Sequence, residues 1–149
     1  MYAENCCGCR ICELICAYRH FQQNNAKKAA IRVFQLFPTP ASNVPVVCHQ
    51  CAIPKCAEKC PEQALYKAED GRILLHVERC TGCRACLDAC PFSAIYFHND
   101  ITTPIKCDLC DGDPACVKWC PTKALHCTPL SVIGQKRRVK LAYAMGGKP

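Results

Sequence analysis

The residues Cys80-Thr81-Gly82-Cys83-Arg84-Ala85-Cys86-Leu87-Asp88-Ala89-Cys90-Pro91 carry the spacing C-x2-C-x2-C-x3-C-P. With this spacing, bacterial iron–sulfur runs hold one cubane cluster through three thiolates and send the fourth to a second cluster. Three thiolates two residues apart let one tight loop wrap a cube. The fourth, a helical turn further on, is aimed at a neighbour. Pro91 removes an N–H donor and turns the chain away.

Three further stretches repeat the arrangement. They are Cys6, Cys9, Cys12 and Cys16; Cys48, Cys51, Cys56 and Cys60 followed by Pro61; and Cys107, Cys110, Cys116 and Cys120 followed by Pro121. In the first, Cys6 rather than Cys7 gives the two-residue interval to Cys9, and Ala17 stands where the others have proline. That motif therefore departs from the rest at its fourth cysteine, although the spacing still fits. Sixteen of the 18 cysteines fall into four sets of four. Cys7 and Cys127 are left over and read as inert buried thiols. Gly8 and Gly82 each precede the second cysteine of a motif, where positive φ brings backbone N–H groups near sulfur.

Other uses of so much cysteine fit less well. Zinc sites with four cysteine ligands use C-x2-C pairs, but ribbons set two pairs well apart. Here three cysteines crowd into seven residues in the first and third motifs, which one tetrahedral ion does not need. Disulfides belong to oxidising compartments. Met1 to Asn5 is too short for a signal peptide and the cysteines begin at once, so a cytoplasmic location is expected. No apolar run reaches the length of a membrane span.

The elements between the motifs must be short. Phe21 to Lys28 is polar and reads as loop; Ile31 to Phe37 reads as a strand. Pro38, Pro40 and Pro45 are expected to break regular structure until Val46. Ala64 to Lys67 and Arg72 to Val77 flank Asp70-Gly71, a hairpin signal. Ile95 to Phe97 and Ile105 read as another strand pair, joined by an Asn99-Asp100 turn. The segments Cys60-Pro61-Glu62-Gln63-Ala64-Leu65, Cys90-Pro91-Phe92-Ser93-Ala94-Ile95 and Cys120-Pro121-Thr122-Lys123-Ala124-Leu125 match one another at intervals of 30 residues. Such a repeat predicts a recurring unit. Proline at a first helical position predicts a short helix in each copy, with Ala and Leu or Ile on its buried face. After Cys127 the chain is apolar at Leu130 to Ile133, then basic at Lys136, Arg137, Arg138 and Lys140. This tail covers a cluster, contacts a partner subunit, or frays in solvent.

The formal charge is +7. Four oxidised clusters, each about −2 with its thiolates, bring the total to roughly −1, so the charge gives little support to a nucleic-acid partner. Aromatic residues do not interleave the basic ones as a stacking platform requires. His20, His49, His76, His98 and His126 are scattered and read as surface or hydrogen-bonded side chains, since each site already has four cysteines. Arg10 and Arg84 hold matching places in two motifs, as cations that raise a cluster's potential or as ordinary solvated side chains. No dinucleotide fingerprint, P-loop or nucleophile motif is present, so no catalytic site is expected.

In order and spacing the four motifs resemble the four-cluster ferredoxin-like subunits of complex oxidoreductases, of the dimethyl sulfoxide reductase and formate dehydrogenase type. Lys106-Cys107-Asp108-Leu109-Cys110, Pro114-Ala115-Cys116-Val117 and Cys120-Pro121 carry much of the likeness. The start, Cys9-Arg10-Ile11-Cys12-Glu13 with Cys16, His20 and Ile31-Arg32-Val33, is most similar to small subunits of tungsten-dependent aldehyde oxidoreductases. The resemblance implies an α+β fold of two fused ferredoxin-like modules with short helices and small β-hairpins. The outer module would comprise 1–30 and 100–127, the inner 46–98, with 128–149 as a basic tail contacting a subunit. It implies four [4Fe–4S] clusters with crossed ligation. One takes Cys6, Cys9, Cys12 and Cys120; a second Cys107, Cys110, Cys116 and Cys16. A third takes Cys48, Cys51, Cys56 and Cys90; the fourth Cys80, Cys83, Cys86 and Cys60. The implied role is to relay single electrons between a large tungsto- or molybdopterin subunit and a flavin, NAD or ferredoxin partner. A free soluble polyferredoxin and a zinc-binding interaction module are the alternatives.

Overall fold

A computed structural model describes residues 1–38 and 42–128, together with 132, 138, 139, 141 and 142. The expectations for the tail beyond 128 lie outside the described residues. The order of elements is α1 (Ile11–Phe21), β1 (Ile31–Leu36), β2 (Ser42–Val47), α2 (Lys55–Glu58), β3 (Leu65–Lys67), β4 (Ile73–Leu75), α3 (Ala85–Ala89) and α4 (Ala115–Lys118), with single 3-10 turns between. This is a mixed architecture of short helices and two small antiparallel sheets, β1–β2 and β3–β4.

The longest helix, α1, buries Cys12, Glu13, Cys16 and Ala17. Those positions are one helical turn apart in pairs and so share a face. Without a proline after Cys16 the helix runs on to Phe21, where Gln22 enters the left-handed region at φ 53° and donates its N–H to the Tyr18 carbonyl. Arg19 and His20 in the last turn complement the helix dipole. Glu13 is 1% exposed, and a buried charge must be paired. Its Oε1 accepts the Val33 N–H at 2.6 Å and its Oε2 the Arg32 guanidinium at 3.3 Å, fastening α1 to β1.

Here one expectation fails. Residues 42–47 form strand β2, with Pro45 opposite Val33. In an antiparallel ladder, opposed residues either bond each other or both point outward. The Val33 N–H is given to Glu13, so this pair faces outward and the ladder loses nothing to proline.

The hairpin at Asp70-Gly71 forms as expected. Leu65 pairs with Leu75 and Lys67 with Ile73, and Gly71 takes φ 86°. The expected strand pair at Ile95–Phe97 reduces to a bridge between Tyr96 and Ile105. The predicted helices after each Cys-Pro are absent. The segments instead turn, with Gln63, Ser93 and Lys123 at φ near 50° and their N–H groups on the carbonyls of Cys60, Cys90 and Cys120. The short helices α2, α3 and α4 lie before the fourth cysteine of their motifs. The turn buries Ala64, Ala94 and Ala124, whose small side chains let the backbone approach the sulfurs.

Two apolar clusters result. The larger joins Cys12, Cys16, Ala17, Ala29, Ala30, Ile31, Val33, Ile105, Cys120, Ala124 and Leu125. The smaller joins Leu65, Cys86 and Ile95. Among the described residues no helix is long and apolar enough to cross a membrane.

Candidate metal centres

Cys6, Cys7, Cys9, Cys12 and Cys120 line one small cavity, walled by Val33, Pro45 and Leu125. Cys60, Cys80, Cys83 and Cys86 line another, walled by Leu65, Leu75 and Phe97. In both, cysteines of one motif meet a cysteine of another. The remaining cysteines also have neighbours across motifs. Burial pushes Cys116 up to about 12, and Cys107, Cys16 and Cys110 add to the rise. Burial also raises Cys16, with Cys110 again a neighbour. Cys51 and Cys56 are raised by burial and then by Cys48 and Cys90, while Lys106 opposes the rise. Cys16 thus has Cys110 and Cys116 among its neighbours, and Cys90 has Cys51 and Cys56.

The spacing of sulfurs tests which metal group fits. A tetrahedral zinc with bonds near 2.3 Å needs its sulfurs roughly 3.8 Å apart. Among the described residues, the only group of three ligand atoms close enough for a single ion is His20, Asp108 and Cys110, all within 4.8 Å. None of the cysteine quartets is drawn in that tightly. Four thiolates around a wider space suit a cube of four irons, so the donor set fits a [4Fe–4S] group.

The loops explain how the sulfurs converge. Gly8 and Gly82 take φ 73° and 70°, as the motifs predicted. A Cβ on Gly8 would lie 2.5 Å from Asn43 Oδ1, and Asn43 Nδ2 donates to the Cys6 carbonyl. Arg10 and Arg84 follow in the left-handed region, each capping the helix that carries the third cysteine. Backbone amides then meet the fourth sulfurs. Ala64 donates to Cys60 at 3.2 Å, Ala94 to Cys90 at 3.4 Å, and Ala30 to Cys16 at 3.3 Å. The first motif lacks the Cys-Pro turn, so its amide comes from the chain returning after α1.

Burial dominates the thiol electrostatics. It pushes Cys12 and Cys107 up to about 12 and Cys86 to about 11. A lone thiolate is unfavourable at these positions, and a bound cation reverses that balance. Cys120 is the exception. Burial raises it, but the amides of Leu125, Ala124 and Thr122 and the Thr122 hydroxyl outweigh burial and bring it below the ordinary value.

Several side chains near the sulfurs have contacts that the sequence reading did not foresee. His20, expected to be isolated, places Nε2 3.6 Å from Cys110 Sγ and 3.5 Å from Asp108. Gln50 and Lys106 both donate to the Cys107 carbonyl. Arg72 reaches from the β3–β4 turn to Asp111 and the Asp108 carbonyl. Arg84 lies over the Phe97 ring at 5.3 Å. His49 stacks on Phe92, His76 stacks on Tyr66, and His98 pairs with Asp100. Cys7 and Cys127 are exposed, not buried. Cys7 nevertheless lines the same cavity as Cys6 and lies beside Cys9.

Comparison with known proteins agrees with this chemistry. Residues 41–129 match the model of the 4Fe-4S dicluster domain. The polyferredoxin-like subunit of aliphatic sulfonate oxidoreductase from Pyrococcus furiosus is 39% identical over 55% of this chain and 47% of its own length. The B subunit of anaerobic dimethyl sulfoxide reductase from Haemophilus influenzae is 29% identical over 55% of this chain and 46% of its own. The chain thus spans about half the length of these curated relatives. Among solved structures, the BamBC active-site complex of benzoyl coenzyme A reductase overlaps 93% of this chain and 85% of that one. Its identity is 28% and its TM-score 0.45. From its repeated cysteine loops and a family match covering more than half its length, the chain belongs to the 4Fe-4S dicluster domain family.

Proposed function

We propose that this chain is an electron-transfer subunit holding four [4Fe–4S] clusters in two fused dicluster modules. The observation that carries the proposal is the sharing of each cavity between motifs, seen most clearly where Cys120 meets Cys6, Cys9 and Cys12. The outer module takes Cys6, Cys9, Cys12 and Cys120 for one cluster and Cys107, Cys110, Cys116 and Cys16 for its companion. The inner module takes Cys48, Cys51, Cys56 and Cys90 for one and Cys80, Cys83, Cys86 and Cys60 for the other. Electrostatic neighbours support an order in space. Cys12 adjoins Cys116, Cys107 adjoins Cys48, and Cys86 adjoins Cys56. The quartets at Cys6 and Cys80 then stand at the two ends.

A bound [4Fe–4S] group supplies one-electron chemistry at a potential set by hydrogen bonds to sulfur, nearby charge and exposure. The protein contributes those settings. Amides of Ala30, Ala64 and Ala94 point at sulfur and favour added negative charge. Val33, Leu65 and Phe97 keep water from the sulfurs. Crossed ligation ties distant segments together, so metal binding supplies much of the folding energy. The names of the relatives, subunits of an aliphatic sulfonate oxidoreductase and of dimethyl sulfoxide reductase, support a large catalytic partner. The resemblance at Cys9 to Glu13 favours a tungsto- or molybdopterin subunit, with a flavin, NAD or ferredoxin protein at the other end and a cytoplasmic setting.

Anaerobic purification tests the proposal. The expected product is brown, carries roughly sixteen irons per chain in four cubanes and co-elutes with a large pterin enzyme. Elution alone with full iron favours a free polyferredoxin. A colourless protein with about four zinc ions contradicts the cluster reading.

A further inference from the structure

Lys106 lies where the two central cysteine quartets meet. Its Nζ donates to the Ile73 carbonyl at 2.5 Å and to the Cys107 carbonyl at 2.7 Å. Gln50, one residue before Cys51, donates to the same Cys107 carbonyl at 2.8 Å and accepts the Ile73 N–H at 2.8 Å. The ammonium is therefore held between strand β4 and the start of the Cys107 motif, and Gln50 ties the Cys48–Cys51 loop to the same two residues.

Its partners are unlike those of the other inward cations. Lys28 pairs with Asp100, Arg32 with Glu13, and Arg72 with Asp70 and Asp111. Among the described residues no carboxylate pairs with Lys106, whose hydrogen bonds go to neutral carbonyls. The acidic groups beside it are thiols: Cys107 follows it in the chain, and Gln50, which shares its acceptor at the Cys107 carbonyl, directly precedes Cys51.

We propose that Lys106 is a potential-setting residue shared by the two central metal centres, those of Cys107, Cys110, Cys116 and Cys16 and of Cys48, Cys51, Cys56 and Cys90. It rests on the cluster assignment proposed above. Reduction by one electron adds one negative charge, and a fixed cation at close range lowers the free energy of the reduced form. Lys106 thus raises both central potentials relative to the two ends. The electron is held most readily in the middle of the relay, with one side chain governing both inner stations.

Dye-mediated redox titration of the anaerobic, iron-loaded protein, followed by electron paramagnetic resonance, tests this. Lys106→Met should shift two of the four midpoint potentials downward and leave the other two in place. Lys106→Arg should keep both near the wild-type values. Gln50→Leu removes neutral hydrogen bonds from the same junction and should leave all four unchanged. If Lys106→Met fails to load iron, Lys106→Gln keeps a donor without the charge and should give the same pair of downward shifts. Unchanged central potentials in the neutral variants, or equal shifts in Gln50→Leu, overturn the inference. The cluster assignment fails separately, if the wild-type protein itself does not take up roughly sixteen irons.

Discussion

The half of the molecule built on α1 and the half built on the β3–β4 hairpin carry eight motif cysteines each but protect them differently. Of the eight motif cysteines at Cys6–Cys16 and Cys107–Cys120, four are buried: Cys12, Cys16, Cys110 and Cys120. Of the eight at Cys48–Cys60 and Cys80–Cys90, only Cys86 is. The first half has an 11-residue helix, a buried carboxylate and the larger apolar cluster. The second has helices of four and five residues and three core residues. One sequence difference lies behind much of this contrast. Where three motifs have proline after the fourth cysteine, the first has Ala17, and α1 continues far enough to support a core.

The contrast can be broken at its strongest point by Cys120→Ser. If the cavities are shared between motifs, this change in the fourth motif removes the centre at Cys6, Cys9 and Cys12, and iron content falls from about sixteen to about twelve per chain. Selective loss at the Cys107 site instead argues that each motif closes on itself.

Glu13→Ala should have the next largest effect. It strands the buried Val33 N–H, while Arg32 keeps its bond to the Ala26 carbonyl; leaving that N–H without its charged acceptor costs about 2 kcal/mol. Melting followed by cluster absorbance should then show the α1 half failing first, while the hairpin half melts as in the wild type. Equal loss in both halves means that they fold as one unit.

In the second half, Ile95→Val removes one methylene from a core of three and should cost about 1 kcal/mol, read as a small drop in its own melting step. Chelation sharpens the comparison without mutation. Each half has one exposed motif cysteine, Cys9 and Cys83, but with only Cys86 buried the second half should be stripped by a chelator before the first, as measured by absorbance against time; the reverse order argues that burial of sulfur does not govern release. The smallest effect is expected from Arg84→Ala, which loses a contact with Phe97 worth about 0.5–1 kcal/mol.

Much of the site was legible in the sequence because cluster loops are local. Spacing singled out sixteen candidate cysteines, and Gly8 and Gly82 marked the loop conformation. The Asp70-Gly71 turn was readable for the same reason. What escaped depends on contacts between distant segments. Pro45 was expected to end regular structure, but whether proline harms a strand depends on which way its partner's N–H points, and Glu13 decides that from 20 residues before Val33. The Cys-Pro segments looked helical by the rule for first positions. Pairing of the Ala64 and Ala94 amides with sulfur favours a left-handed turn instead. Glu13 itself left a faint signal, since it shares a helical face with Cys12, Cys16 and Ala17. Lys106 and Gln50 left none, because both find their partners at Ile73 on β4 and at the Cys107 carbonyl.

The sharing of each quartet between two motifs can be tested most directly by an anomalous difference map, recorded at the iron edge from anaerobically grown crystals. The account predicts four compact iron cubes in a row, with Cys120 bonded to the cube of Cys6 and Cys60 to that of Cys80. Single-atom peaks, or cubes whose four sulfurs all come from one motif, would contradict it.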